Sequence, residues 1–144
     1  MVSVTLFGPI DTILGPYMEY ILLILVFLNL FTRKVANDTY KEQASNGAEA
    51  IERYRPHLLT NWALIIGSFY FMTLHQHAGM VLSVLVLGMF ISDFFEFESR
   101  KVEAREGRQL ELPKSSIVVS MLVFLYTAYI SLFFIIKPYW NAVI

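Results

Sequence analysis

The sequence contains no cysteine. That excludes disulfides, thiolate metal sites and cysteine nucleophiles, and it leaves the redox compartment open. Charge is scarce as well. Asp, Glu, Lys and Arg make up 16% of the 144 residues, where a soluble domain carries about a quarter. The chain has no Gly-rich phosphate loop, nucleophile elbow or HExxH helix, the short patterns that announce phosphoryl, acyl or zinc chemistry. Its basic residues are interspersed with glutamate. No nucleic-acid partner is therefore expected.

What the chain does hold is apolar sequence: 56% of it, concentrated in the runs 16–31, 58–74, 78–95 and 117–136. A bilayer core is ~30 Å thick and takes about 20 apolar residues in a helix. Ile117–Ile136 meets that length without a charge. The stretch Leu58–Phe95 is too long for one crossing, at roughly 57 Å for 1.5 Å per residue. Its polar break, His75-Gln76-His77 followed by Gly79, predicts a tight helical hairpin. Backbone groups in lipid must pair within their own segment, so helices are the expected form. The fold class is all-α: an integral membrane bundle of four transmembrane helices forming one polytopic domain, 1–144. The leader 1–15 is expected at the interface. It has no Lys or Arg and no small-residue cleavage pattern follows the first run, so a cleaved signal peptide is not expected. Pro16 suits the first position of a helix, where a missing N–H costs nothing.

Lys and Arg set the expected orientation. Loop 32–57 holds Arg33, Lys34, Lys41, Arg53 and Arg55, and loop 96–116 holds Arg100, Lys101, Arg105, Arg108 and Lys114. Only Lys137 lies elsewhere. The positive-inside rule puts both loops in the cytoplasm and both termini outside a cell membrane. Tyr17, Tyr20, Tyr139 and Trp140 then form an outer aromatic belt, with Trp62 at the inner one. The loops are predicted to be partly helical. Ala48–Tyr54 has a Glu49–Arg53 pair at i, i+4, a candidate N-cap in Asn46, and Pro56 as its stop. The third helix is expected to continue over Glu96–Glu106, with a Glu96–Arg100 pair and Gly107 as its end. Pro113 closes the connector, and Ser115 or Ser116 is a candidate cap for the last helix.

Small residues at i, i+4 mark expected helix seams: Ala63 with Gly67, Gly79 with Ser83, Gly88 with Ser92, and Thr127 with Ser131. Polar side chains collect at two depths. Asn29, Asn61, Ser92, Asp93, Glu96 and Ser120 fall near the cytoplasmic boundary. A carboxylate such as Asp93 is costly there unless paired, and Arg33, Lys34 or Arg100 could pair it. The layer reads as a structural network, as a vestibule for a proton, ion or substrate, or as a partner site. Glu19, His75 and His77 form an outer cluster. Two imidazoles and a carboxylate are a conceivable metal set, although i and i+2 on a helix point about 200° apart. Histidines that meet only water or headgroups are the plainer reading, so no metal is assigned. His57 sits at the opposite end from His75 and His77, so a bis-histidine haem site is not expected. Anionic lipid at the inner leaflet could attract Arg33-Lys34 and Arg100-Lys101.

Thr73-Leu74-His75-Gln76-His77-Ala78-Gly79-Met80-Val81-Leu82-Ser83, the run Gly88–Arg105 and the leader Leu6-Phe7-Gly8-Pro9-Ile10-Asp11 resemble a family of small four-helix membrane proteins of halophilic archaea. The resemblance covers nearly the whole chain. It implies a source but no activity and no catalytic residue, and the loops lack the acidity expected of a halophile. The leading functional expectation is a non-catalytic accessory or scaffold subunit of a membrane complex, with protein partners or further copies of itself. The rival is a small ion- or proton-handling protein that uses the Asp93/Glu96 or the Glu19/His75/His77 layer. A membrane enzyme would need one of these layers to hold a metal.

Overall fold

A computed structural model describes residues 8–143, with the side chains of 134–136 left aside. Among the described residues the chain forms five α-helices and two short 3-10 turns. Helix α1 covers Pro9–Leu14 and runs through the turn Gly15–Tyr17 into α2, Met18–Ala44. The turn Ala48–Ala50 leads to α3, Arg55–Leu74, then α4, Gln76–Arg105, and α5, Lys114–Val143. Four helical stretches, beginning at Pro9, Arg55, Gln76 and Lys114, are long and apolar enough to cross a membrane.

Helices α2 to α5 pack in chain order, and α5 closes against α2. The diagonal pair α2 and α4 touches little. The interior is filled by Leu22 and Val26 from α2, Leu64 and Phe71 from α3, Leu82, Val86 and Met89 from α4, and Val123 from α5. Helix α5 is inside-out by the standard of a soluble protein. Its buried face is Ser116, Ser120, Val123, Thr127 and Ser131, while Val118, Leu122, Leu125 and Tyr129 are exposed. The buried hydroxyls of Ser120, Thr127 and Ser131 bond to backbone carbonyls three or four residues back, at 2.7–2.8 Å. Their polarity is thus answered within the helix, and their small size lets the backbones approach. Such a helix suits lipid around the bundle.

The α3–α4 hairpin turns on one residue. His75 is extended (φ −136°, ψ 94°), with its N–H on Phe71 O and its C=O accepting from Gly79 N. Gly79, expected as a turn signal, does its work one turn later, because a Cβ there would run into the Met72 backbone. Gly67 faces Met18 and Leu22 of α2, and Gly88 faces Val119 of α5. These glycines line three different helix contacts.

Several expected boundaries change. Residues 1–7 of the leader lie outside the described residues. Its remainder is helical, and Pro16 enters the short 3-10 turn before α2. Helix α2 does not stop at Phe31 but carries Arg33, Lys34 and Lys41 to Ala44. The helix expected over Ala48–Tyr54 is absent. Gly47 takes φ +104°, a conformation that breaks a helix and favours glycine, and only Ala48–Ala50 coils. Pro56 sits in the first turn of α3, so it opens that helix and does not stop an earlier one. Helix α4 runs on past Phe95 as expected, and Gly107 (φ +71°) ends it. Arg108 N reaches Glu103 O at 2.9 Å and Gly107 N reaches Ala104 O at 3.2 Å, the paired bonds of a Schellman cap. Ser115 and Ser116 lie within α5 and do not cap it. Ser115 instead donates to Glu96 at 2.6 Å.

Candidate functional site

The polar layer lies where the basic connectors meet the bundle. Asn29 and Arg33 stand one turn apart on α2, and His57 and Asn61 one turn apart on α3. Residues four apart share a helix face, so each helix offers a pair toward Asp93 of α4. Arg33 grips the Asp93 carboxylate with both terminal nitrogens, Nη1 on Oδ1 and Nη2 on Oδ2. His57 Nε2 lies 3.1 Å from Oδ2, and Asn61 Nδ2 donates to Oδ2 at 2.8 Å. Asn29 Nδ2 donates to Asn61 Oδ1 at 2.7 Å, and Arg33 Nη2 donates to Asn29 Oδ1 at 3.1 Å.

These bonds close a ring: Asp93, Asn61, Asn29, Arg33 and back to Asp93. Its polarity is determined by its two charged members. A carboxylate only accepts and a guanidinium only donates. The Asn61 amide nitrogen must therefore face Asp93, its oxygen must face Asn29, and the Asn29 oxygen must face Arg33. Asn29 and Asn61 are almost fully buried, where an unpaired amide is expensive. Asp93 accepts four bonds in all, one on Oδ1 and three on Oδ2.

Thr32 extends the network. Its Oγ lies 2.9 Å from His57 Nδ1, 3.0 Å from Thr60 Oγ1 and 3.0 Å from the Asn29 carbonyl. The order hydroxyl, imidazole, carboxylate is that of a nucleophile relay. Thr32 is buried, donates to the Asn29 carbonyl, and does not line the cavity beside the network. Asp93 is moreover neutralised by Arg33. The arrangement reads as a clamp across three helices and not as a catalytic triad.

A second cluster sits further along α4. Arg100 pairs with Glu96 at 3.0 Å and with Glu103 at 2.5 Å, and donates to the Glu111 carbonyl at 2.9 Å. Glu103 also accepts from Glu111 N at 3.3 Å. Arg100 and Glu103 are buried. Together they pin the 106–113 connector to α4, and Glu96 reaches α5 through Ser115. On the other side, Tyr40 stacks edge-on with Phe97, centroids 5.2 Å apart, and accepts from Tyr54 N at 3.2 Å. Burial pushes the Tyr40 hydroxyl above its ordinary value. Arg53 lies 4.2 Å over the Phe97 ring and 3.3 Å from Glu98.

Between these clusters lies a cavity of about 50 Å³. It is lined from α2, α3 and α4, from Arg53 and Tyr54 before α3, and from Pro113 before α5, and includes Arg33, Tyr40, His57, Asp93, Glu96 and Arg100. By volume it holds on the order of three waters or one small polyatomic ion.

The structure thus brings Asn29, Asn61 and Asp93 together and sets Glu96 beside them. It does not join Ser92 or Ser120 to the layer: Ser120 bonds its own helix at Ile117 O, and Ser92 makes no side-chain hydrogen bond among the described residues. Three helices, not four, build the ring. Among Arg33, Lys34 and Arg100, Arg33 pairs Asp93, Arg100 serves Glu96 and Glu103, and Lys34 is exposed. Arg33 and Arg100 are therefore not free surface cations for lipid. The Glu49–Arg53 pair gives way to Arg53–Glu98. Sequence reasoning left out Thr32, Thr60, His57 and Glu103. The spacing His57–Asn61 on one helix face was the signal for the third of these, and Arg100–Glu103 for the last.

At the hairpin end, His75 Nε2 comes within 3.7 Å of Glu19 Oε1, and the ring leans on Phe71. His77 does not join them. Among the described residues no three His, Cys, Asp or Glu side chains gather as a metal would require. Nearby, Tyr70 donates to the buried Asp11 at 2.6 Å and ties α1 to α3. No curated protein and no solved structure matches this chain. The model of one family does, the domain of unknown function DUF7313, over residues 2–144. The chain belongs to that family.

Proposed function

We propose that this protein is a non-catalytic accessory or scaffold subunit of a membrane complex, which docks its partner through the basic end of the bundle. The observation that carries the reading is the length and bracing of that end. Helix α2 continues from Arg33 to Ala44, and α4 from Asp93 to Arg105. Each extension rises roughly 17 Å above the ring at 1.5 Å per residue. The extensions are braced by Tyr40 on Phe97, Arg53 on Glu98 and the Arg100 cluster. A shallow groove of about 450 Å³ runs along α4 and the connector, with Phe95 and Val102 exposed beside Glu98 and Arg108. Exposed apolar side chains set among charges suit a protein contact.

In this reading the basic connectors face the cytoplasm and both termini lie outside, as the Lys and Arg bias argues. The resemblance to membrane proteins of halophilic archaea supports such a source. The ion- or proton-handling alternative has less support. Arg33 already supplies the counter-charge to Asp93, and Glu19 and His75 lie 3.7 Å apart with no third ligand beside them among the described residues. The test is affinity purification from native membranes in a mild detergent, with co-purifying proteins identified by mass spectrometry. A stoichiometric partner that is lost with Phe95→Glu and Val102→Glu is expected. A homogeneous oligomer of this chain alone would sink the proposal.

A further inference from the structure

We infer that the cavity at the basic end binds a small oxyanion of the phosphate class, entering either as the free ion or as the headgroup phosphate of an anionic lipid. The inference comes from the donors and acceptors around the cavity and does not depend on the accessory-subunit reading. The carboxylate oxygens at the cavity are each already engaged. Both Asp93 oxygens are taken by Arg33, His57 and Asn61, and Glu96 accepts from Arg100 on one oxygen and Ser115 on the other.

Donors remain. Arg33 is 7% exposed, lines the cavity, and its Nε is buried with no hydrogen-bond partner. A buried guanidinium N–H left without an acceptor needs an explanation, and an ion or water is the usual one. Tyr40 accepts from Tyr54 N, and its own proton meets no acceptor among the described residues. Arg53 spends one nitrogen on Glu98 and has the rest over. Asn37, also in the lining, makes no side-chain hydrogen bond among the described residues. The charged lining is three arginines and two carboxylates, and Glu98 and Glu103 pair Arg53 and Arg100 from outside it. N–H and O–H donors left without acceptors call for a guest rich in acceptors, and guanidinium groups match oxyanion geometry. The volume suits a single small oxyanion and does not suit a nucleotide.

The test uses the full chain in nanodiscs and reads the shift in melting temperature. In phosphatidylcholine discs, sodium phosphate titrated at constant ionic strength is expected to raise Tm and saturate. If the lipid headgroup is the natural source, phosphatidylglycerol discs give the rise without phosphate, and added phosphate then adds nothing. Either outcome supports the site. Arg53→Gln and Tyr40→Phe are each expected to raise the midpoint phosphate concentration about tenfold, measured against that variant's own ligand-free Tm. Because Arg53 is at the rim and Tyr40→Phe keeps the ring, both variants are expected to fold. No saturable rise with phosphate or phosphatidylglycerol overturns the inference, and so does a rise that neither variant weakens.

Discussion

Replacing Asp93 by alanine would leave the buried Arg33 guanidinium with Asn29 Oδ1 as its remaining side-chain acceptor. Removing one partner of a buried ion pair costs about 3–5 kcal/mol, because the other charge stays buried without compensation. Arg33→Met should cost a similar amount by stranding the carboxylate. The double variant Arg33→Met with Asp93→Leu removes both charges. Asn29, Asn61 and His57 then lose one bond each, while the two amides keep the bond to one another, a loss of about 3 kcal/mol in sum. The two single losses would add to about 6–10 kcal/mol, so the double variant should be no less stable than either single one, with a coupling of about 3 kcal/mol or more. Asp93→Asn should fall between wild type and alanine. Its amide nitrogen must oppose Arg33 or Asn61, both of which donate. Reversible unfolding of the purified protein in a mild detergent, followed by circular dichroism, measures these differences. An Asp93→Ala variant within about 0.5 kcal/mol of wild type would refute the ring as a clamp. So would a double variant as unstable as the two single losses added together.

Gly79→Ala should disrupt the α3–α4 hairpin, since its Cβ meets the Met72 backbone, whereas Gly88→Ala, whose Cβ sits 4.0 Å from Val119, should melt like wild type. Equal melting temperatures for the two would contradict the close approach at Gly79. Tyr70→Phe should lose about 1 kcal/mol with its bond to Asp11, and limited proteolysis should then cut sooner near α1; an unchanged digestion pattern counts against that tether. Gly107→Ala places a Cβ at φ +71°, and the strain of about 1 kcal/mol should appear as a lower Tm. With no native cysteine, Lys41→Cys and Arg108→Cys should react with an impermeant maleimide only after the membrane is opened. His77→Cys should react in intact cells, and the reverse pattern would invert the proposed orientation.

The hairpin, the continuation of α4 and its stop at Gly107 were legible because their causes are local. A polar break, an i, i+4 pair and a glycine in the left-handed region act within one turn of chain. The 32–57 connector was harder to read. Its charges suggested solvent from residue 32 onward, yet α2 continues for more than two turns and takes Arg33 inside. The expected helix over Ala48–Tyr54 failed for a comparable reason. Pro56 can stop one helix or open another, and packing of α3 decided for opening. At the site, Asn29, Asn61 and Asp93 were readable as one depth, whereas Ser92 and Ser120 share that depth but not the face.

The sequence by itself determined how many helices can cross a membrane, that they are helices, and at what level the polar groups lie. Hydrophobic length and a 1.5 Å rise settle those without reference to any neighbour. Tertiary structure alone decided which charge meets Asp93. Arg33 and Lys34 are adjacent and point about 100° apart on one helix, so each would suit equally by composition. The rotation of α2 against α3 and α4 turned Arg33 inward and Lys34 out, and set Arg33 and His57 on the same carboxylate. Depth is a property of one chain segment, but facing is a property of the packed bundle.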